Sequence, residues 1–187
     1  MAGIQLGLIG SLNAAVGDFE SIATVTVGAG GSSTITFSSI PSTYTHLQVR
    51  MFAKDNVSTA DWNPMSIQFN GDTGSNYASH DIRAFADASV YADNAITQTT
   101  AKFGQLTANV SNYFGVTVMD ILDYANTNKY KTVRSLIGAE VNTALYGFVG
   151  LWSSLWRSTS AITSMEIKAP GRTFAQYSHF ALYGLKG

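Results

Sequence analysis

The chain has no cysteine. That removes disulfide staples, thiolate zinc sites and a cysteine nucleophile, while saying nothing firm about redox compartment. Charge is also scarce. Asp, Glu, Lys and Arg make up 12% of the 187 residues, and the formal net charge is −1, against a usual charged share of about 25%. So few cations offer little attraction to phosphate backbones or anionic lipid, so neither nucleic acid nor membrane is expected as a partner. Only three prolines occur. No heptad, no Gly-X-Y run and no internal repeat at a fixed period is present, which excludes a fibre shaft, a propeller and a solenoid.

What is present is apolar and β-branched. Hydrophobic residues make up 45% of the chain, enough to build a core in a domain of this length. Short alternating runs recur from Glu20 onward. Ala23, Val25 and Val27 alternate with threonines, and Ile35 and Phe37 do the same after the Gly28–Gly31 turn. The cleanest run covers 46–54, with Leu47, Val49, Met51 and Ala53 on one face and His46, Gln48, Arg50, Phe52 and Lys54 on the other. That is the period of a half-buried antiparallel strand. Met65, Ile67 and Phe69 repeat it ahead of the turn at 70–74, NGDTG. Further strands are expected at 79–85, 103–110, 114–124, 130–141, 148–156, 164–169 and 178–185. The last is apolar on both faces and is expected deep between sheets. Residues 87–101 read as a short helix or a loop. About ten short strands separated by turn signals predict an all-β fold, an antiparallel two-sheet jelly-roll-like sandwich.

The segment 118–136, VMDILDYANTNKYKTVRSL, predicts a hairpin. If Tyr124 and Tyr130 close the polar loop 125–129, Asp123 faces Lys131, Ile121 faces Val133 and Asp120 faces Arg134. Two opposite-charge pairs and one apolar pair share one register, each contributing about 0.2–1 kcal/mol.

Ahead of the strands, residues 1–19 read either as an apolar docking arm or as an ordinary first strand of the same domain, leaving 20–187 as the sandwich domain. The arm has no basic residue, since the first Lys or Arg is Arg50, so it does not read as a secretory signal, and it is too short to span a bilayer. Ile4, Leu6, Leu8, Ile9 and Leu12 are its docking residues, each gaining about 1.5–3 kcal/mol on full burial.

The candidate chemical constellations are weak. Asp120 and Asp123 sit three apart on a strand and point to opposite faces, so they cannot share a proton or flank one bond. Asp55, Asp61 and Asp72, with Asn56 or Asn70, lack the ligand spacing of an EF-hand and read as turn residues. His46, His80 and His179 show no metal spacing. No Gly-x-Ser-x-Gly elbow exists, and the glycine loop at 28–33 has no Walker lysine. No catalytic residue, metal or cofactor is expected. Tyr146, Phe148, Trp152, Trp156 and Arg157 form an aromatic cluster. Core packing, a subunit interface and sugar stacking are all open to it. Trp152 and Trp156 share strand parity, so at least one is expected on a face away from the core.

The segments 69–77 (FNGDTGSNY), 120–136 (DILDYANTNKYKTVRSL), 150–167 (GLWSSLWRSTSAITSMEI) and 174–187 (FAQYSHFALYGLKG), with 38–50 (SSIPSTYTHLQVR), resemble a family of tailed-bacteriophage virion structural proteins. The resemblance covers most of 20–187 and the apolar start GIQLGLIGSL. It implies a non-enzymatic protein on the outer surface of a phage particle, commonly a homotrimer. The leading expectation is a capsid decoration (cement) protein bound to the major capsid protein or a neighbouring virion protein. The alternative is a tail- or fibre-associated receptor-binding head domain that touches host glycan through exposed Tyr and Trp.

Overall fold

A computed structural model describes residues 18–57, 63–108, 112–140 and 147–187. The arm residues Ile4, Leu6, Leu8, Ile9 and Leu12, together with Asp61 and Tyr146, lie outside the described residues.

Alternating apolar residues can bury one face only if two sheets pack together, and the chain does this with twelve strands among the described residues. They are β1 (Phe19–Thr26), β2 (Thr34–Phe37), β3 (His46–Ala53), β4 (Asn63–Phe69), β5 (Tyr77–Phe85), β6 (Val90–Gln98), β7 (Ala101–Leu106), β8 (Gly115–Leu122), β9 (Lys131–Ala139), β10 (Phe148–Trp156), β11 (Met165–Lys168) and β12 (His179–Leu185). The larger sheet has the order β1-β12-β3-β8-β9-β10-β5-β6, and the smaller has the order β2-β11-β4-β7. Every strand pairing is antiparallel. The fold is therefore an all-β, two-sheet antiparallel sandwich. The chain crosses between sheets at every step except β5 to β6, β8 to β9 and β9 to β10, which stay within the larger sheet. The insertions β5–β6 and β9–β10 extend the larger sheet beyond β8.

The core lies between the sheets. Leu47, Val49, Met51 and Ala53 of β3 face Met65, Ile67 and Phe69 of β4, Phe103 of β7 and Ile167 of β11 across it, all buried in one cluster. Phe180 and Leu182 of β12 belong to that cluster, whereas Tyr183 lies on the outer face, stacked on Phe19 at 4.6 Å with the Arg50 guanidinium 4.7 Å above the Phe19 ring. β12 is thus an interior strand of one sheet, with only one face in the core. Residues 87–101 correct the sequence reading. They supply β6, an edge strand pairing Ala84 with Val90 and Asp81 with Asp93. β6 is exposed along nearly its whole length, so no buried stripe marks its period.

At the turn from β4 to β5, Asn70 and Gly71 both take positive φ (51° and 65°), and the Asp72 N–H donates to the Phe69 carbonyl at 2.9 Å. Asn-Gly is the pair that tolerates two successive left-handed residues.

Gly184 is required for a different reason. A Cβ there would lie 2.3 Å from the Tyr44 ring, and that ring is tethered by its hydroxyl, which donates to Glu20 Oε2 at 2.7 Å. Gly184→Ala is expected to cost about 1–3 kcal/mol through overpacking. A thermal melt indistinguishable from wild type would show that the ring yields freely.

Candidate interaction surface

The outer face of the larger sheet carries what the core does not use. Strand registers align two apolar rows across it. One runs Ile82, Leu151, Leu136, Val118 from β5 to β8. The next runs Val90, Ala84, Val149, Gly138, Val116, Phe52 from β6 to β3. Directly opposed side chains stand about 4.5–5.5 Å apart at Cβ, so the first row is a continuous apolar ridge and the second is apolar with a gap at Gly138. Leu136 is 59% exposed and Val90 64%; Ile82, Val149, Leu151, Val116 and Phe52 are also exposed. A shallow depression of about 240 Å³ opens between Ile82, Val90, Leu136, Val149 and Leu151. The adjoining row is polar: His80, Ser153, Arg134, Asp120, Gln48. An apolar band bordered by a polar row is the anatomy of a protein-binding surface. The residues of the band lie apart from the aromatic cluster of β10. The available signal was β10 itself, where Val149 and Leu151 alternate with Phe148, Gly150 and Trp152, making both faces apolar.

Trp152 and Trp156 do not belong to that surface. Both are 2% exposed and lie on the core face, which corrects the expectation that one faces away from it and removes both as interface or sugar-stacking aromatics. Their shared parity places them on one face; that face is the inner one. The Trp152 ring folds over Gly150, where a Cβ would lie 2.3 Å from it. Trp156 stacks on Tyr77, centroids 6.3 Å apart, and its indole N–H donates to Asp72 Oδ2 at 2.7 Å. Arg157 is exposed, and its guanidinium donates to the Ser75 carbonyl at 2.5 Å, so it pins the β4–β5 turn.

The hairpin register holds for Asp120 opposite Arg134, with Nη2 to Oδ2 at 3.5 Å, and for Ile121 opposite Val133. The Asp123–Lys131 pair is corrected. Pairing stops at Leu122 and Thr132, because Asp123 takes φ 49° and leaves the strand. Its carboxylate accepts from Lys129 Nζ at 2.7 Å, and its backbone N–H donates to His46 Nδ1 at 3.0 Å. Lys131 turns into the core instead.

The turn that carries Asp72 is held by its own hydrogen bonds. Asp72 accepts from Trp156, from the Asn76 amide at 3.0 Å and from the Gly74 N–H at 2.8 Å. The Trp156 indole, then Asn76, hold its carboxyl below the usual carboxylate range. A depressed folded pKa stabilises the fold above the unfolded value and loses that contribution as pH falls through the folded one. Melting temperature is therefore expected to fall on acidification below about pH 4. Asp72→Asn, which keeps an acceptor for Trp156, is expected to flatten part of that dependence. An unchanged slope in melts across acid pH would remove Asp72 from the account.

One carboxylate pair went unseen in the sequence. Asp81 and Asp93 are opposed across β5 and β6, visible only once 87–101 is a strand. Burial pushes the Asp81 pKa up against the pull of Arg83. Arg83 Nε lies 2.9 Å from Asp81 and its Nη2 3.7 Å from Asp93, and Lys102 Nζ is 3.9 Å from Asp93. Two cations facing two carboxylates make a neutral ion cluster, and such clusters perturb pKa values without catalysis. Among the described residues, no group of three or more His, Asp or Glu is placed to hold a metal, and no helix is long and apolar enough to cross a membrane. No protein-family model matches the chain, and no curated protein matches it.

Proposed function

We propose that this chain is a non-enzymatic structural subunit on the outer surface of a tailed-bacteriophage particle, acting as a capsid decoration protein that packs against the major capsid lattice and adjoining copies of itself, as a homotrimer. The observation that carries the reading is the exposed apolar band on the outer face of the larger sheet. A surface with so few charges, bearing two aligned apolar rows, gains free energy by covering them with other protein. The phage setting rests on the resemblance of the turn and strand segments. The strand order is in keeping with it: β1-β12-β3-β8 packs against β2-β11-β4-β7, with the hairpins β5–β6 and β9–β10 extending the larger sheet, and we read this as a jelly-roll-like sandwich, an architecture found in capsid proteins.

The test is co-sedimentation of the purified chain with particles of the encoding phage that lack it. Replacing Leu136 and Leu151 together by glutamate places two charges at the centre of the band. Bound copies should fall at least ~10-fold, the loss of a hot spot of about 2 kcal/mol or more, with the melting temperature unchanged. Attachment at the wild-type level would refute the band as the contact. Deleting residues 1–17 tests the arm separately, since normal attachment without them removes it as a docking element.

A further inference from the structure

At one end of the sandwich, four segments border an open pocket of about 420 Å³, within the ~300–1,000 Å³ of small-molecule sites. It is built from the β1–β2 turn, the residues after β3, those before β8 and those before β12. Its chemistry comes from Lys54, Asn56, Phe114, Thr173, Gln176 and Tyr177. The walls are laced together. Asn56 N–H donates to the Thr173 carbonyl at 3.1 Å, Ala175 N–H to Lys54 at 2.9 Å, Ser32 N–H to Phe174 at 3.1 Å and Tyr177 N–H to Val27 at 3.0 Å. Phe174 anchors the segment beneath, fully buried and edge-on to Phe180 at 4.9 Å. A pocket so supported exists before any ligand arrives, which lowers the ordering cost of binding.

Tyr177 is the telling residue. It holds φ +70°, where a bulky side chain is an outlier and glycine would sit without strain. It is also 68% exposed, so packing within the chain does not explain the choice. Backbone strain of this kind concentrates at ligand sites. The Gln176 side chain makes no hydrogen bond among the described residues, and an amide offers both donor and acceptor.

We infer that this pocket binds a saccharide unit of a glycan. Vicinal hydroxyls are donor and acceptor at once, which is what side-chain amides complement. The ring's C–H face suits an aromatic side chain such as Tyr177 or Phe114. Among the described residues no carboxylate lines the pocket, which disfavours a cationic ligand, and its polar lining disfavours a purely apolar one. Lys54 Nζ lies 4.9 Å from the Phe114 ring centroid at the pocket wall. This site is separate from the apolar band and stands or falls without it.

Saturation-transfer NMR on the full chain tests the inference, using glucose, galactose, N-acetylglucosamine, glucuronic acid and their β-linked disaccharides at millimolar concentration. At least one should show transfer. Tyr177→Ala and Gln176→Ala should each weaken it about 10-fold, the scale of one lost stacking or polar contact, while Tyr177→Phe retains binding. Tyr177→Gly should lose binding yet raise the melting temperature by about 2–4 °C, because strain is relieved. No transfer from any member, or wild-type binding by the alanine variants, would overturn the saccharide site. A lower melting temperature for Tyr177→Gly would show that the tyrosine serves the fold.

Discussion

Trp156→Ala lowers stability by about 3–5 kcal/mol, and at about 2–4 °C per kcal/mol for a chain of this size the melting temperature falls by about 6–20 °C. The magnitude follows from what the ring touches. Trp156 is 2% exposed, stacks on Tyr77 and lies 5.5 Å from Phe69, so truncation opens a cavity that three strands cannot close. It also strands Asp72, whose carboxylate loses the indole N–H and with it the anchor of the β4–β5 turn. Trp156→Phe separates the two contributions. It keeps most of the packing and forfeits the charge-assisted hydrogen bond, for a cost of about 1.5–3 kcal/mol. Thermal and urea denaturation followed by circular dichroism measures both. Melting of the alanine variant within about 1 °C of wild type would place the ring outside the core. Loss of any partner binding in Trp156→Ala would therefore report unfolding rather than contact chemistry.

The two tryptophans also show where sequence reasoning reaches its limit. Alternation identifies β3 because one face is apolar and the other polar, and the structure buries Leu47, Val49, Met51 and Ala53 as that pattern requires. β10 is apolar on both faces, so period alone cannot say which is inside. The decision falls to volume: the inner face has to fit against β7, and Gly150 makes room for the Trp152 ring there. That leaves Val149 and Leu151 outside, and the exposed apolar band lies on the face the sequence could not distinguish. β6 was illegible for the opposite reason. It buries almost nothing, so its strand state comes from pairing with β5, a non-local term. The pocket at the sandwich end is assembled from four loops distant in sequence, and only Tyr177's backbone conformation draws attention to it.

Lys131 carries the second large effect, and it divides the hairpin into a part that stabilises and a part that decorates. Its residue is fully buried, yet the ammonium is not orphaned: Nζ donates to the carbonyls of Asn126 at 2.5 Å, Lys129 at 2.8 Å and Thr159 at 3.2 Å. Burial pushes its pKa down, opposed by the Asp123 carboxylate. Three acceptors from two loops converge on one cation, so Lys131 ties the 123–130 turn to the segment after β10. Lys131→Met preserves much of the apolar stem and removes the donors, leaving three carbonyls to find water or go unsatisfied. A cost of about 2–4 kcal/mol is expected, with Lys131→Ala worse because a cavity is added. Arg134→Ala, which breaks the exposed pair with Asp120, should stay within about 0.5 kcal/mol of wild type. Urea denaturation of the three variants decides the matter. If Lys131→Met and Arg134→Ala prove equally mild, the buried ammonium does not hold the turn, and the hairpin is stabilised by strand pairing alone.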